Sequence, residues 1–172
     1  MKQYPLENGR RVTVREANED DALAIKNIVN SVASEKYYVV PERSREDWDE
    51  AIREIKNRKG LIIVAEVNDR IVGMAHLVRG KFGKNKHVGF LGISVLKGKR
   101  GIGVEEAMMK YMMEWAQQQD ELEKISLTVF STNKAAINLY RKFGFEIEGI
   151  NKKQYKIEGK YIDEIMMGKF LT

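Results

Sequence analysis

The sequence predicts an α/β fold, in the α+β sense of a mixed sheet with helices on both faces, built as a single domain over residues 1–172. Three observations carry that expectation. Stretches with strand periodicity alternate with stretches of helical periodicity. One long amphipathic helix separates two strands, and such a crossover makes at least one pair parallel. The 172 residues contain no Pro/Gly/Ser-rich linker, low-complexity tract or internal repeat at which a second domain would begin.

The elements follow in order. Residues 10–16, with Val12 and Val14 alternating against polar neighbours, predict a strand. Asn18 with Asp21 three residues on is a capping-box start, and Ile25, Ile28, Val29 and Val32 recur behind it at helical spacing. Ser44 with Asp47 repeats the signal before Trp48, Ile52 and Ile55, a second helix. Residues 61–67 and 71–78 flank Asn68 and Asp69, a turn pair, so they predict an antiparallel hairpin. After a polar loop at 80–86, residues 87–95 read as a strand with glycines at 89 and 92, which weaken it unless something must approach closely. Val104, Ala107, Met108, Tyr111, Met112 and Trp115 form one helical stripe to about residue 119, a spacing that assigns the methionines and Trp115 to the core. Residues 125–130 predict a strand, 133–142 a short helix ended by Gly144, and 145–150 and 160–170 two closing strands around Glu158 and Gly159. The expected order is β-α-α-β-β-β-α-β-α-β-β.

Composition excludes several functions. With no cysteine, disulfides, thiolate metal sites and cysteine nucleophiles are out, and no metal site is expected. The longest apolar run, five residues from Leu61, is far below the ~20 that a membrane helix needs, and the first residues lack the apolar core of a secretion signal, so a cytoplasmic protein is the expectation. The net charge of +5 is unevenly placed: residues 70–104 hold eight bases and no acid, while 16–54 hold eleven acids and five bases. A basic centre suits a polyanionic ligand and an acidic N-terminal part a cationic one.

The strand at 87–95 runs through Leu96 and Lys97 into Gly98-Lys99-Arg100-Gly101-Ile102-Gly103 and directly into the long helix. A glycine-rich strand-to-helix turn offers unpaired N–H groups at the positive end of a helix dipole, a ready anion site, with Lys99 and Arg100 beside it. Downstream comes the motif Asn133-x-x-Ala136-x-x-x-Tyr140-x-x-x-Gly144-Phe145. Together the two resemble the GNAT family of N-acetyltransferases, most specifically over residues 92–149. The resemblance implies acetyl-CoA as co-substrate and a role for each motif residue. Backbone groups of Ile93, Ser94 and Val95 would meet the pantetheine amides. The N–H groups of Lys99, Arg100, Gly101, Ile102, Gly103 and Val104 would hold the pyrophosphate. Asn133 would bond the pantetheine arm, and Tyr140 would assist departure of the CoA thiolate as the catalytic residue. Two positions depart from the family pattern: Gly98 stands where Gln or Arg is usual, and Thr128 where members that acetylate ribosomal-protein N-termini often carry a glutamate base.

The implied reaction is direct attack of a primary amine on acetyl-CoA in a ternary complex. The acceptor would be a protein N-terminus, a polyamine or a small-molecule amine, with a cationic one favoured. In the resemblance the first two helices and their connection wall the acceptor cleft, where Tyr37, Tyr38 and Pro41 are specificity candidates. Of the proton acceptors, His87 lies at the far end of its strand, His76 reads as a packed histidine, and Glu16, Glu35 and Glu148 stand as remote acceptors through water. The alternatives are a basic nucleic-acid or ribosome-associated module and a catalytically idle acetyl-CoA sensor. Nucleic acid is disfavoured, since the basic stretch has one loop aromatic, Phe82, and no reading helix. Oligomeric state is left open, a homodimer included.

Overall fold

The computed structural model describes residues 1–35 and 47–171. Ser44 and the trio Tyr37, Tyr38 and Pro41 lie outside them. The strands are β1 (Lys2–Pro5), β2 (Arg11–Glu16), β3 (Leu61–Val67), β4 (Arg70–Arg79), β5 (Val88–Val95), β6 (Lys124–Phe130), β7 (Glu146–Ile157) and β8 (Lys160–Phe170). The helices are α1 (Ala22–Ala33), α2 (Trp48–Asn57), α3 (Val104–Gln117) and α4 (Lys134–Lys142). All eight strands form one mixed sheet in the order β1-β2-β3-β4-β5-β6-β8-β7. Its one parallel pair is β5 with β6, the two strands joined through α3 as the crossover requires.

Local signals account for most boundaries. Asn18 and Asp21 close the capping box over a single 3-10 turn, Glu19–Asp21, that leads into α1. Asn68 and Asp69 both take positive φ, 51° and 58°, the backbone of a type I′ turn whose twist matches the β3–β4 hairpin. Glu158 and Gly159 do the same between β7 and β8, so the expected closing loop is a two-residue turn. The apolar stripe of α3 is wider than its sequence spacing suggests: Met109, Met113 and Ala116 join Val104, Ala107, Met108 and Met112 in the core, while Tyr111 and Trp115 pack at its edge.

Two elements differ from the expectation. β1 is an added edge strand, paired from Lys2↔Val14 to Pro5↔Arg11, and its polar, proline-ended sequence carries no alternation to announce it. β7 continues to Ile157 through polar residues because irregularities near Gly149 and at 151–155 let it rejoin β8 in register.

The two sheet faces carry separate cores. α3 and α4 cover one face with Val14, Ile63, Leu77, Ile125 and Met167, and α1 and α2 cover the other with Ile62, Val64 and Met74. By strand alternation, His76, Gly92, Ser94, Thr128, Phe130 and Glu164 share the α1/α2 face. No helix among the described residues is long and apolar enough to cross a membrane.

Candidate active site

The parallel pair is short. Registered partners are Val88↔Lys124, Gly89↔Ile125 and Phe90↔Ser126, after which pairing stops although both strands continue. β5 stays bound to β4 as far as Val95, and β6 stays bound to β8 as far as Phe130. The sheet therefore splits between them. The facing edges of residues 91–95 and 127–130 keep backbone groups that have no ladder partner across the split, the condition under which an extended amide-bearing ligand adds as a strand. Ile93, Ser94 and Val95 lie on one side, with Ser94 and Val95 buried.

At the end of β5 the chain turns through three glycines with positive φ: Gly98 at 84°, Gly101 at 69° and Gly103 at 107°. A side chain could not follow this path without strain. A Cβ at Gly98 or Gly101 would meet no atom within 4 Å, so open space lies against the turn. The turn is braced from behind, where the Glu7 N–H donates to the Ile102 carbonyl (3.0 Å) and Leu6 sits 3.5 Å from where a Cβ of Gly103 would be. The first N–H bonded inside α3 is that of Ala107, to Gly103. Contrary to the sequence expectation, the Lys99 N–H is already used, donating to the Leu96 carbonyl at 3.0 Å, and the Glu105 carboxylate accepts from the N–H groups of Gly101 and of Glu105 itself, so the groups that remain for an anion are those of Ile102, Gly103 and Val104.

Across the split, Asn133 caps α4 through its Oδ1, which accepts from the Ala136 N–H at 3.2 Å, while Nδ2 takes no part in the cap. Tyr140 is buried on the inward face of α4, its ring 5.9 Å from that of Phe145. The glycine turn follows the end of β5 and Asn133 follows the end of β6, so the two motifs stand at the ends of the two strands that part, and unpaired strand edges leading to an open glycine turn suit an acyl-CoA.

The sequence profile of the acetyltransferase (GNAT) family matches residues 24–145. The chain belongs to the GNAT family. It is an N-acetyltransferase, and acetyl-CoA is its acetyl donor. Across 162 residues it is 32% identical to the Escherichia coli L-amino acid N-acetyltransferase AaaT, covering 92% of this chain and 97% of that one. Among solved structures, a GNAT acetyltransferase from Streptococcus pneumoniae superposes with a TM-score of 0.86 at 27% identity, over 94% of this chain and 99% of that one. The Salmonella typhimurium yncA structure, determined with acetyl-CoA, shares the fold at a TM-score of 0.83 and 20% identity, over 94% of each chain.

In this GNAT chain Arg100 is used differently from the sequence expectation. Its Nε donates to the Val95 carbonyl (2.8 Å) and its two terminal nitrogens reach Glu35 at 2.7 Å each, a bidentate pair that ties the end of α1 to the turn. Arg100 holds Glu35 below the usual carboxylate range, which makes Glu35 a poor proton acceptor. Glu148 is likewise paired, with Lys124. Burial pushes Glu105, in the first turn of α3, upward. Among the described acids of the acidic stretch, Asp21 pairs with Arg15, Glu19 and Asp49 pair with Arg53 at the surface, and Glu54 pairs with Arg58. Within the basic stretch Arg79 is buried and donates to the Lys86 carbonyl, and Arg100 is paired with Glu35, so these two bases are engaged within the fold.

His76 stands over Gly92, whose missing side chain makes the room; a Cβ there would come within 2.6 Å of the imidazole. The residue is half-buried, and its Nδ1 is shut off from solvent without a hydrogen-bond partner among the described residues. Burial pulls its pKa down to about 4, so the ring is neutral at pH 7 and too weakly basic to deprotonate an amine. Because the folded value lies below the ordinary 6.5, its contribution to stability is intact above pH 6.5 and erodes as the pH falls toward 4. Urea titrations should lose ~1–3 kcal/mol over that window. His76→Gln should flatten the loss, and parallel pH slopes for the two proteins would remove His76 from the account.

Sequence reading passed over Glu164, a buried carboxylate on β8. Its only advance signal is an acid at a position that alternation places inside the sheet.

Proposed function

We propose that this protein acetylates the primary amine of a small molecule, foremost the α-amino group of an L-amino acid, by direct attack in a ternary complex with acetyl-CoA. The observation that carries the reading is the split between β5 and β6 beside an open glycine turn. The choice of acceptor rests on the AaaT relative, which matches over nearly the whole of both chains. Backbone groups of Ile93, Ser94 and Val95 align the pantetheine arm and polarise the thioester carbonyl, the function of preorganised N–H donors. The N–H groups of Ile102, Gly103 and Val104 take the pyrophosphate, with the Lys99 side chain as the nearby cation. Asn133 Nδ2 reaches the arm from the opposite edge. Tyr140 hydrogen-bonds or protonates the departing thiolate. Holding both reactants in one cleft supplies a large part of the rate.

The test is release of CoA thiol with a panel of acceptors: the L-amino acids, their D-enantiomers, spermidine and a lysine-rich peptide with a free N-terminus. L-amino acids should give the highest kcat/KM. A peptide or spermidine that outranks all of them would move the acceptor to the macromolecular or polyamine class.

A further inference from the structure

Glu164 is 7% exposed and lies on the sheet face opposite α3. Its Oε1 accepts from the Tyr155 hydroxyl and its Oε2 from Asn151 Nδ2, each at 3.0 Å. Both donors are neutral, and among the described residues no lysine, arginine or histidine pairs with it. A buried carboxylate without a counter-cation is costly, and one built into two hydrogen bonds is held as an acceptor with lone pairs to spare. Behind it the Phe130 ring packs against Tyr155 at 4.9 Å, which fixes the hydroxyl.

Its place in the register matters more. Glu164 pairs with Phe130 on β6, and Thr128 pairs with Met166, so Glu164 sits diagonal to Thr128 on the same face. The carboxylate stands on the strand next to β6, one strand spacing, about 4.8 Å, from the edge of the split.

We propose that Glu164 receives the acceptor's ammonium group and takes its proton before attack, with Tyr155 and Asn151 as positioning residues. The proposal rests on the acetyltransferase reading and adds its missing base. The ammonium gives one proton to the Glu164 carboxylate, which later releases it to solvent. The neutral nitrogen forms the C–N bond at the thioester carbon, the C–S bond breaks, and a second nitrogen proton goes with the sulfur to CoA thiol, leaving the amide. A cationic acceptor is thereby favoured through this buried carboxylate rather than through the helix surface. Among the described residues, Tyr155, whose hydroxyl is pushed up by burial and then by Glu164 itself, is the titratable group bonded to Glu164, while on the same face β6 offers Thr128 and Phe130 and β8 offers Ile162 and Met166. Asp163 points to the other face and accepts from the Lys153 N–H. His76 stands across the split.

The experiment compares wild type with Glu164→Gln, which keeps the shape, and Tyr155→Phe. L-alanine and spermidine serve as acceptors, and acetyl-CoA affinity is read by calorimetry. Glu164→Gln should bind acetyl-CoA as wild type does and lose ~10²-fold or more in kcat/KM at pH 7, the scale of general base catalysis. That deficit should narrow as pH rises toward the amine's own pKa, where solvent removes the proton. Tyr155→Phe should lose a few-fold and keep the wild-type pH profile. A Glu164→Gln protein with the wild-type rate and profile, or with an equal loss at every pH, overturns the proposal. Should neither amine turn over, calorimetry of spermidine into the CoA complex decides: tighter binding by wild type supports Glu164 as the ammonium site, and equal or absent binding overturns it. Failure of wild type to bind acetyl-CoA would instead bring down the acetyltransferase reading, and this proposal with it.

Discussion

Tyr140→Phe is expected to lower kcat by ~10²-fold or more while acetyl-CoA affinity stays within a factor of two or so, because in the proposed mechanism the hydroxyl acts as the thiolate leaves. The substitution is conservative for the fold. The ring is buried against Phe145, and that contact survives loss of the hydroxyl, so the variant should stay folded, which its melting curve checks. Pre-steady-state measurement ensures that chemistry, and not product release, is being read. A phenylalanine variant with full kcat under those conditions would return Tyr140 to a packing role in the α4 core.

Gly101→Val should weaken acetyl-CoA binding by ~10- to 100-fold, the scale of losing hydrogen bonds to a charged group. The reasoning combines two facts about one residue. Its φ of 69° strains any β-branched replacement, and a Cβ there meets no protein atom within 4 Å, so the added bulk enters the open space against the turn rather than the core. Calorimetry on the folded variant is the readout. Gly159→Val provides a control, since that glycine also has positive φ, 79°, and open surroundings but lies in the β7–β8 turn. It should cost stability alone. Equal acetyl-CoA affinity for the Gly101 variant and wild type would take the pyrophosphate away from this turn.

What could be read in advance was whatever local chemistry decides. Periodicity placed α3, turn residues placed the β3–β4 hairpin, and the two glycine- and asparagine-bearing motifs marked the opening between β5 and β6. The reading faltered where tertiary pairing overrides local pattern. Lys2–Pro5 becomes a strand because β2 offers an edge, and β7 runs on through polar residues because β8 holds it in register. Charge was the least legible property. Arg100 looked like a phosphate partner, yet the approach of Glu35 from 65 residues away turns it into a brace for the turn. Glu164 escaped notice for the same reason: its meaning comes from Tyr155 and Asn151 on another strand and from the split one strand away, and none of these is a sequence neighbour.

The central claim, that acetyl-CoA lies along the split between β5 and β6 with its phosphates on the glycine turn, is tested most directly by backbone hydrogen exchange with and without acetyl-CoA. The account predicts slowed exchange at residues 91–95 and 99–105, with the edge of β6 from 127 to 130 following, and little change in β1 or in the basic loop at 80–86. Acetyl-CoA that binds while those amides exchange unchanged, or that protects the 80–86 loop instead, would contradict it.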